Sequence, residues 1–146
     1  MTCLFVYGTL RKSLIGSQIN AELVQIMRDL PFIGNGSANG QLYDLGDYPG
    51  AIVSENCAGK IVGEVYQLDH PQAVLTVLDQ YEGFIPGELE ASLFARVKEK
   101  ITLSDGSRIE AWMYVYNDWV ATGKLIESGD YAEYLKQSLS SQQPAS

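Results

Sequence analysis

Two short stretches hold residues whose types and spacing could do chemistry. The first is Phe5-Val6-Tyr7-Gly8-Thr9-Leu10-Arg11, where an apolar β-run breaks at a glycine and turns polar. Gly8 permits a bend and a close approach to the main chain, and consecutive N–H groups in such a turn form a nest for an anion or a carbonyl oxygen. On spacing alone an ordinary strand-to-loop turn satisfies the same residues, since glycine is common at strand ends. The second stretch is Leu78-Asp79-Gln80-Tyr81-Glu82-Gly83. Pro71 can open a helix, Ala73, Val74, Val77, Leu78 and Tyr81 follow at helical spacing, and Gly83 is a natural stop. Glu82 then stands at the negative end of the helix dipole, close behind Asp79, and both neighbours favour the protonated carboxyl. Its pKa is predicted to rise, burial in a pocket would add to that, and a carboxyl poised nearer neutrality is a better proton shuttle. An exposed glutamate at a helix end fits the spacing as well.

Composition narrows the remaining chemistry. The chain has 146 residues, 46% of them hydrophobic and 19% charged, enough for one domain with a substantial core. A formal net charge of −8 and no run of Lys or Arg argue against binding nucleic acid or an anionic membrane. No stretch approaches a membrane span, and Met1-Thr2 leads into a β-run without a basic or long apolar leader, so a cytoplasmic protein is expected. Cys3 and Cys57 belong to no Cys-x-x-Cys or Cys/His cluster and read as buried small residues, reduced in the cytosol. The single histidine, His70, precedes Pro71 at a turn, which leaves no histidine-based zinc site and no ready Ser-His or Cys-His arrangement.

The elements that must position these residues follow from periodicity. Ile19, Leu23, Ile26, Met27 and Leu30 give one apolar face to a helix from Ser17, its candidate N-cap, to Leu30, and Pro31 ends it. Gly34 to Gly40 reads as a link between short β pieces, followed by a strand from Gln41 to Leu45 and another over Ala51-Ile52-Val53. Asp47 and Tyr48, on the loop between them, could reach a pocket or simply build a turn. Lys60 to Leu68 is a strand in which Gly63 marks a bulge or a close backbone approach. Residues 84 to 91 read as a loop.

Further on, Ala95, Val97, Ile101 and Leu103 alternate with polar residues, and Ile109, Ala111, Met113 and Val115 do the same after Ser104-Asp105-Gly106-Ser107. Matching apolar to apolar positions selects a three-residue loop with a glycine bulge, and the register predicted is Leu103 opposite Ile109 and Ala111 opposite Ile101. Arg96, Tyr114 and Tyr116 then share the other face, and Glu99 is the exception on the apolar one. Residues 119–126 give no clear pattern, Asp130 to Leu139 has helical spacing, and 140–146 is expected to be a poorly ordered polar tail after a single domain over 1–139. Many short strands with about three helices that do not alternate regularly point to an α+β domain with a curved or closed mixed sheet.

The runs FVYGTLR, YDLGDYPGA (43–51), GEVYQL (63–68), LDQYEG (78–83), SLFARV (92–97) and AWMYVY (111–116) resemble, in order, the γ-glutamylcyclotransferase-like (AIG2-like) family. The resemblance implies a small mixed β-barrel flanked by short helices. It also implies a cofactor-independent reaction in which a γ-glutamyl group leaves as 5-oxoproline, the substrate's own α-amine attacking its γ-carbonyl. Glu82 would be the general acid/base, and the backbone of Tyr7, Gly8, Thr9 and Leu10 would hold the glutamyl group. Tyr7, Tyr114 and Tyr116 are the candidate hydroxyl donors to the same pocket. Phe94 stands where the family often has tyrosine, and the KSLIGSQIN segment after Arg11 also departs from the common pattern. The implied partner is a small γ-glutamyl molecule. A binding or interaction domain that keeps the fold and pocket without turnover is the alternative.

Overall fold

The computed structural model describes residues 1–12, 14–15, 21–46, 48–54, 58–117 and 124–142, the last five by backbone alone. Ser17, Ile19, Asp47, Cys57 and Trp119 lie outside the described residues. In chain order the elements are β1 (Thr2–Val6), α1 (Ala21–Asp29), β2 (Phe32–Asp44), β3 (Pro49–Val53), β4 (Lys60–Leu68), α2 (Pro71–Glu82), β5 (Phe94–Leu103), β6 (Arg108–Tyr116), β7 (Lys124–Ile126) and α3 (Tyr131–Gln142). A single 3₁₀ turn, Leu89–Ala91, interrupts the loop between α2 and β5.

Five strands run in the order β2-β4-β1-β6-β5, and β5 returns to β2 through Gly36↔Leu103 and Ser37↔Thr102. This closes a small mixed β-barrel, mixed because β1 and β6 are parallel while the other pairs are antiparallel, and the three short helices flank it. Beyond the barrel, the far half of β2 carries β3 on one side and β7 on the other.

Strand β1 is apolar from Cys3 to Val6 because both of its faces are buried there. Cys3, Phe5 and Tyr7 point into the barrel among Ile61, Val65, Ile101 and Met113, whereas Leu4 and Val6 face a second core formed with Leu23, Met27, Leu78, Phe94 and Tyr114. Cys3 is a buried free thiol.

Three sequence expectations change. The Gly34 to Gly40 run does not join short pieces: it is the middle of one 13-residue strand, β2. Ladders with β4, β5 and β3 in turn satisfy its backbone, and this outweighs the poor strand propensity of its glycines. In the hairpin, Ile109 stands opposite Ile101 rather than Leu103, and Ala111 opposite Glu99. Face sharing survives the two-residue shift, so Arg96 is directly across from Tyr114, and Phe94 from Tyr116. The three loop residues are Ser104, Asp105 and Gly106, closed by Leu103 N–H donating to the Ser107 carbonyl at 2.7 Å. The reason is conformational: the last loop residue is left-handed (φ +89°), and this register gives that place to Gly106, where the other would have put Ser107. Finally, α3 continues to Gln142, so Ser140 to Gln142 are helix rather than tail, and 143–146 lie outside the described residues.

Gly63 proves to be a close approach and not a bulge, since it pairs in register with Gly36. A Cβ there would lie 2.3 Å from the Val6 carbonyl oxygen and 2.8 Å from the Phe5 ring. Gly106 has open space around it and only its φ restricts it. Gly106→Ala is therefore expected to cost about 1–2 kcal/mol from backbone strain alone. Gly63→Ala should cost more, about 3 kcal/mol, through overpacking against backbone. Urea unfolding of both variants checks the order, and a smaller loss for Gly63→Ala would contradict the close approach.

Candidate active site

The turn after β1 is held from its C-terminal side. Arg11 N–H donates to the Gly8 carbonyl at 3.0 Å, and the buried Arg11 guanidinium bonds Asp130 Oδ1 at 2.8 Å. Glu64 Oε1 accepts from the Lys12 amide at 2.8 Å and from the Tyr66 hydroxyl at 2.9 Å. Gly8 is not left-handed, and its bareness serves packing: a Cβ would lie 2.8 Å from Pro49 Cγ at the start of β3. Among the described residues, the amides of Gly8, Thr9 and Leu10 have no protein acceptor.

Helix α2 delivers Glu82. Gly83, at φ +70°, ends the helix in a left-handed cap, and Phe84 N–H returns to the Asp79 carbonyl at 2.9 Å. The Asp79 side chain is buried and turns toward the barrel wall. It accepts Arg96 Nε at 2.9 Å and Nη2 at 3.3 Å, and the Tyr114 hydroxyl at 2.6 Å. The Arg96 guanidinium in turn stacks 4.5 Å above the Trp112 ring.

Between these elements lies a cavity of about 260 Å³, lined by Tyr7, Gly8, Thr9, Leu10, Glu82 and Tyr114 together with residues that spacing did not single out. The ends of β1 and α2, some seventy residues apart in the chain, thus meet at one concave surface. Tyr116 does not border it, because its ring packs edge-on behind Phe94 at 5.6 Å between centroids. Of the two readings left open for Tyr48, the pocket is the one observed, while Asp47 lies outside the described residues. Pro49, Tyr81, Leu93 and Phe94 complete its wall. Tyr81 sits 3.2 Å from Thr9 Oγ1 through its hydroxyl, and its place just before Glu82 was the one available signal. Pro49, Leu93 and Phe94 arrive through tertiary packing, and their signal was membership of the motif runs at 43–51 and 92–97, with Phe94 in the place where the family often has tyrosine.

Residues 4–133 match the family model described as gamma-glutamyl cyclotransferase, AIG2-like. The chain belongs to that family. The gamma-glutamylcyclotransferase family protein YtfP of Escherichia coli K12 is 38% identical over 131 residues, covering 89% of this chain and 96% of that protein. A relative from Methanocaldococcus jannaschii is 32% identical over 134 residues, 92% of this chain and 98% of its own. Among solved structures, YkqA from Bacillus subtilis superposes with a TM-score of 0.69 at 27% identity, over 95% of this chain and 42% of the YkqA chain. This chain thus spans less than half the length of YkqA. The mouse AIG2-like protein shares the fold, with a TM-score of 0.67 at 20% identity over 90% of this chain and 88% of that one.

Within this cyclotransferase-family fold, burial pushes the Glu82 carboxyl up to about pKa 8. The direction is the one expected from sequence, and of the causes expected there, helix dipole, Asp79 and burial, it is burial that acts. Asp79 does not repel Glu82, because Arg96 and Tyr114 occupy its carboxylate. Burial also raises both tyrosine phenols, helped at Tyr7 by the nearby Glu82 charge and at Tyr114 by the bond to Asp79. The hydroxyls are themselves committed: Tyr7 donates to the Tyr114 carbonyl and accepts the Ala51 amide at 3.3 Å, and Tyr114 donates to Asp79. They brace the cavity wall.

A raised carboxyl pKa has a defined consequence for stability. The unfolded chain loses the Glu82 proton near pH 4.5 and the folded chain near pH 8, so the folded state binds more protons across that window. This group's stabilisation is intact below about pH 4.5, falls as pH rises through the window, and is constant above about 8. Glu82→Gln removes the titration. The variant should therefore gain on the wild type as pH rises from about 4.5 to 8, then hold its advantage. Paired urea titrations at pH steps across 4–9 read this out, and a pH-independent difference would place Glu82 in water.

Proposed function

We propose that this protein releases 5-oxoproline from a γ-glutamyl amine, amino acid or peptide by intramolecular aminolysis, with Glu82 as general acid/base. The observation that carries the reading is a half-buried glutamate whose carboxyl desolvation pushes up to about pKa 8, in the same cavity as the backbone turn at Gly8, Thr9 and Leu10. Family membership gives the reaction class, and the arrangement supplies what such a reaction needs. The turn amides hold the glutamyl group and orient its γ-carbonyl, one of them polarising the carbonyl oxygen. Glu82 as carboxylate accepts a proton from the substrate's α-ammonium. The freed amine attacks the γ-carbonyl carbon, and the tetrahedral adduct collapses as the C–N bond to the leaving amine breaks. Glu82 returns its proton to that nitrogen and then carries the second proton of the attacking nitrogen to the released amine, so the lactam leaves neutral, the amine leaves as an ammonium and the carboxylate is restored.

Attack within one molecule, once the reacting atoms are held in line, can be worth an effective molarity on the order of 10⁵ M. Holding one glutamyl conformer is therefore the larger task, and a single proton carrier contributes roughly 10²- to 10⁴-fold. The rate law follows from protonation states. Productive encounter needs Glu82 ionised and the substrate amine protonated, so kcat/KM should rise through about pH 8 and fall beyond the substrate's own ammonium pKa.

The test is 5-oxoproline release from a panel of γ-glutamyl compounds by the wild type and Glu82→Gln. The wild type should turn over at least one compound with an acid limb near pH 8, and the variant should lose roughly 10²- to 10⁴-fold in kcat while staying folded. Equal rates would assign the proton transfer to another group. No product from any compound would favour a domain that binds a γ-glutamyl ligand without turning it over.

A further inference from the structure

A second hollow borders the Asp79 and Arg96 pair and shares no residue with the cavity that holds Glu82. It is larger, about 720 Å³, and lies between α2 and the wall of β5 and β6. The helix contributes Ala73, Leu75 and Thr76, the segment after it Pro86, and the two strands Arg96 and Trp112. The Arg96 side chain is only 18% exposed, and most of its binding capacity is spent. Nε and Nη2 donate to Asp79, and the rings of Trp112 and Phe84 stand 4.5 and 5.6 Å from the guanidinium carbon. Nη1 has no acceptor among the described residues. Nor is it sealed from solvent, because Arg11 Nε is the one fully buried side-chain nitrogen or oxygen without a partner among those residues. Nη1 therefore faces the hollow that Arg96 lines, with two N–H donors unused.

The partner that such a group selects is an oxygen carrying negative charge. Asp79 divides its own charge among Nε, Nη2 and the Tyr114 hydroxyl, which leaves the far end of the guanidinium cationic. His70, just before α2, lines the same hollow with a side chain that caps no helix amide, and Lys98 Nζ stands 4.9 Å from the Trp112 ring centroid. The opposing carboxylates count for less. Asp69 is exposed and takes the Gln67 amide, and Glu110 pairs with Lys98 at 3.8 Å where both are more than half exposed. Around the free donors, Leu75, Pro86 and Trp112 offer carbon surface, and small-molecule sites combine such walls with a few placed polar groups. We propose that this hollow is a second binding site, for a small carboxylic acid with an aromatic or aliphatic body, its carboxylate on Arg96 Nη1 and its body along Trp112. The ligand touches the guanidinium that pins α2, the helix that carries Glu82. The site stands or falls apart from the cyclotransferase reading.

Phenylacetate is the probe, with phenylacetamide and phenethylamine as its neutral and cationic matches. In NMR titrations of the isotope-labelled full chain, phenylacetate should move the Arg96 Nε–H and Trp112 indole N–H resonances saturably. Its dissociation constant should be about tenfold or more below that of either match. Ala73→Phe and, from the next turn of the helix, Thr76→Trp each fill the hollow from an exposed position and leave the Glu82 cavity unaltered. Either variant, once its folding is verified by the rest of the spectrum, should lose those shifts. Equal affinity for the three probes would overturn the proposal, as would filled variants that bind phenylacetate like the wild type. Shifts confined to residues 7–10 would assign the acid to the turn amides and overturn it too, and so would the absence of any saturable shift.

Discussion

The arrangement of the site depends on one buried ion pair. Arg96, on β5, grips the Asp79 carboxylate through two nitrogens, and the Tyr114 hydroxyl from β6 adds a third bond. Removing one partner of such a pair leaves the other charge stranded, typically a loss of about 3–5 kcal/mol. The pair therefore pins the last turns of α2 to the barrel wall. Because Glu82 follows Asp79 by less than one helical turn, fixing Asp79 against β5 and β6 also fixes where Glu82 can go. The Trp112 ring under the guanidinium limits the other direction of movement.

A second buried cluster does the same for the opposite wall. Arg11 reaches Asp130 at 2.8 Å and lies 3.8 Å from Glu64, while Glu64 also takes the Lys12 amide. The turn that carries Gly8, Thr9 and Leu10 is thus anchored to β4 and to the start of α3. These contacts explain how one chain separates the roles of four buried or half-buried acids. Asp79 and Glu64 are met by arginine and tyrosine, and Asp130 by arginine, whereas Glu82 has burial without a cation, and its proton is held to about pH 8.

Barrel closure supplies the frame for both clusters. With β1 buried on both faces, alternate residues of a single strand serve the barrel interior and the helix layer, and the turn leaving β1 emerges between the two cores. Gly63 lets β4 and β1 approach closely at the level where the turn begins, and its cross-strand partner Gly36 does the same for β2 and β5. The cavity sits where that tight packing ends and the chain departs from the sheet.

What the sequence determined by itself were the features governed by local rules. The extent of β4, the Pro71 start and Gly83 stop of α2, and the grouping of Arg96 with Tyr114 follow from periodicity and from the conformational limits of proline and glycine. The motif residues at 7–10 and 78–83 likewise announced themselves by type and order. Other features were decided by contacts between distant segments. The hairpin register turned on which residue accepts a left-handed φ, a choice that polarity alternation leaves open by steps of two. The continuity of β2 required partners on both sides, and Tyr116 lost its place at the cavity to Phe94 across the same hairpin. Above all, sequence neighbours suggested that Asp79 acts on Glu82 by repulsion. Only the fold, by bringing Arg96 and Tyr114 to Asp79 and closing the wall over Glu82, made desolvation the cause, because burial and charge pairing are properties of surroundings assembled from the whole chain.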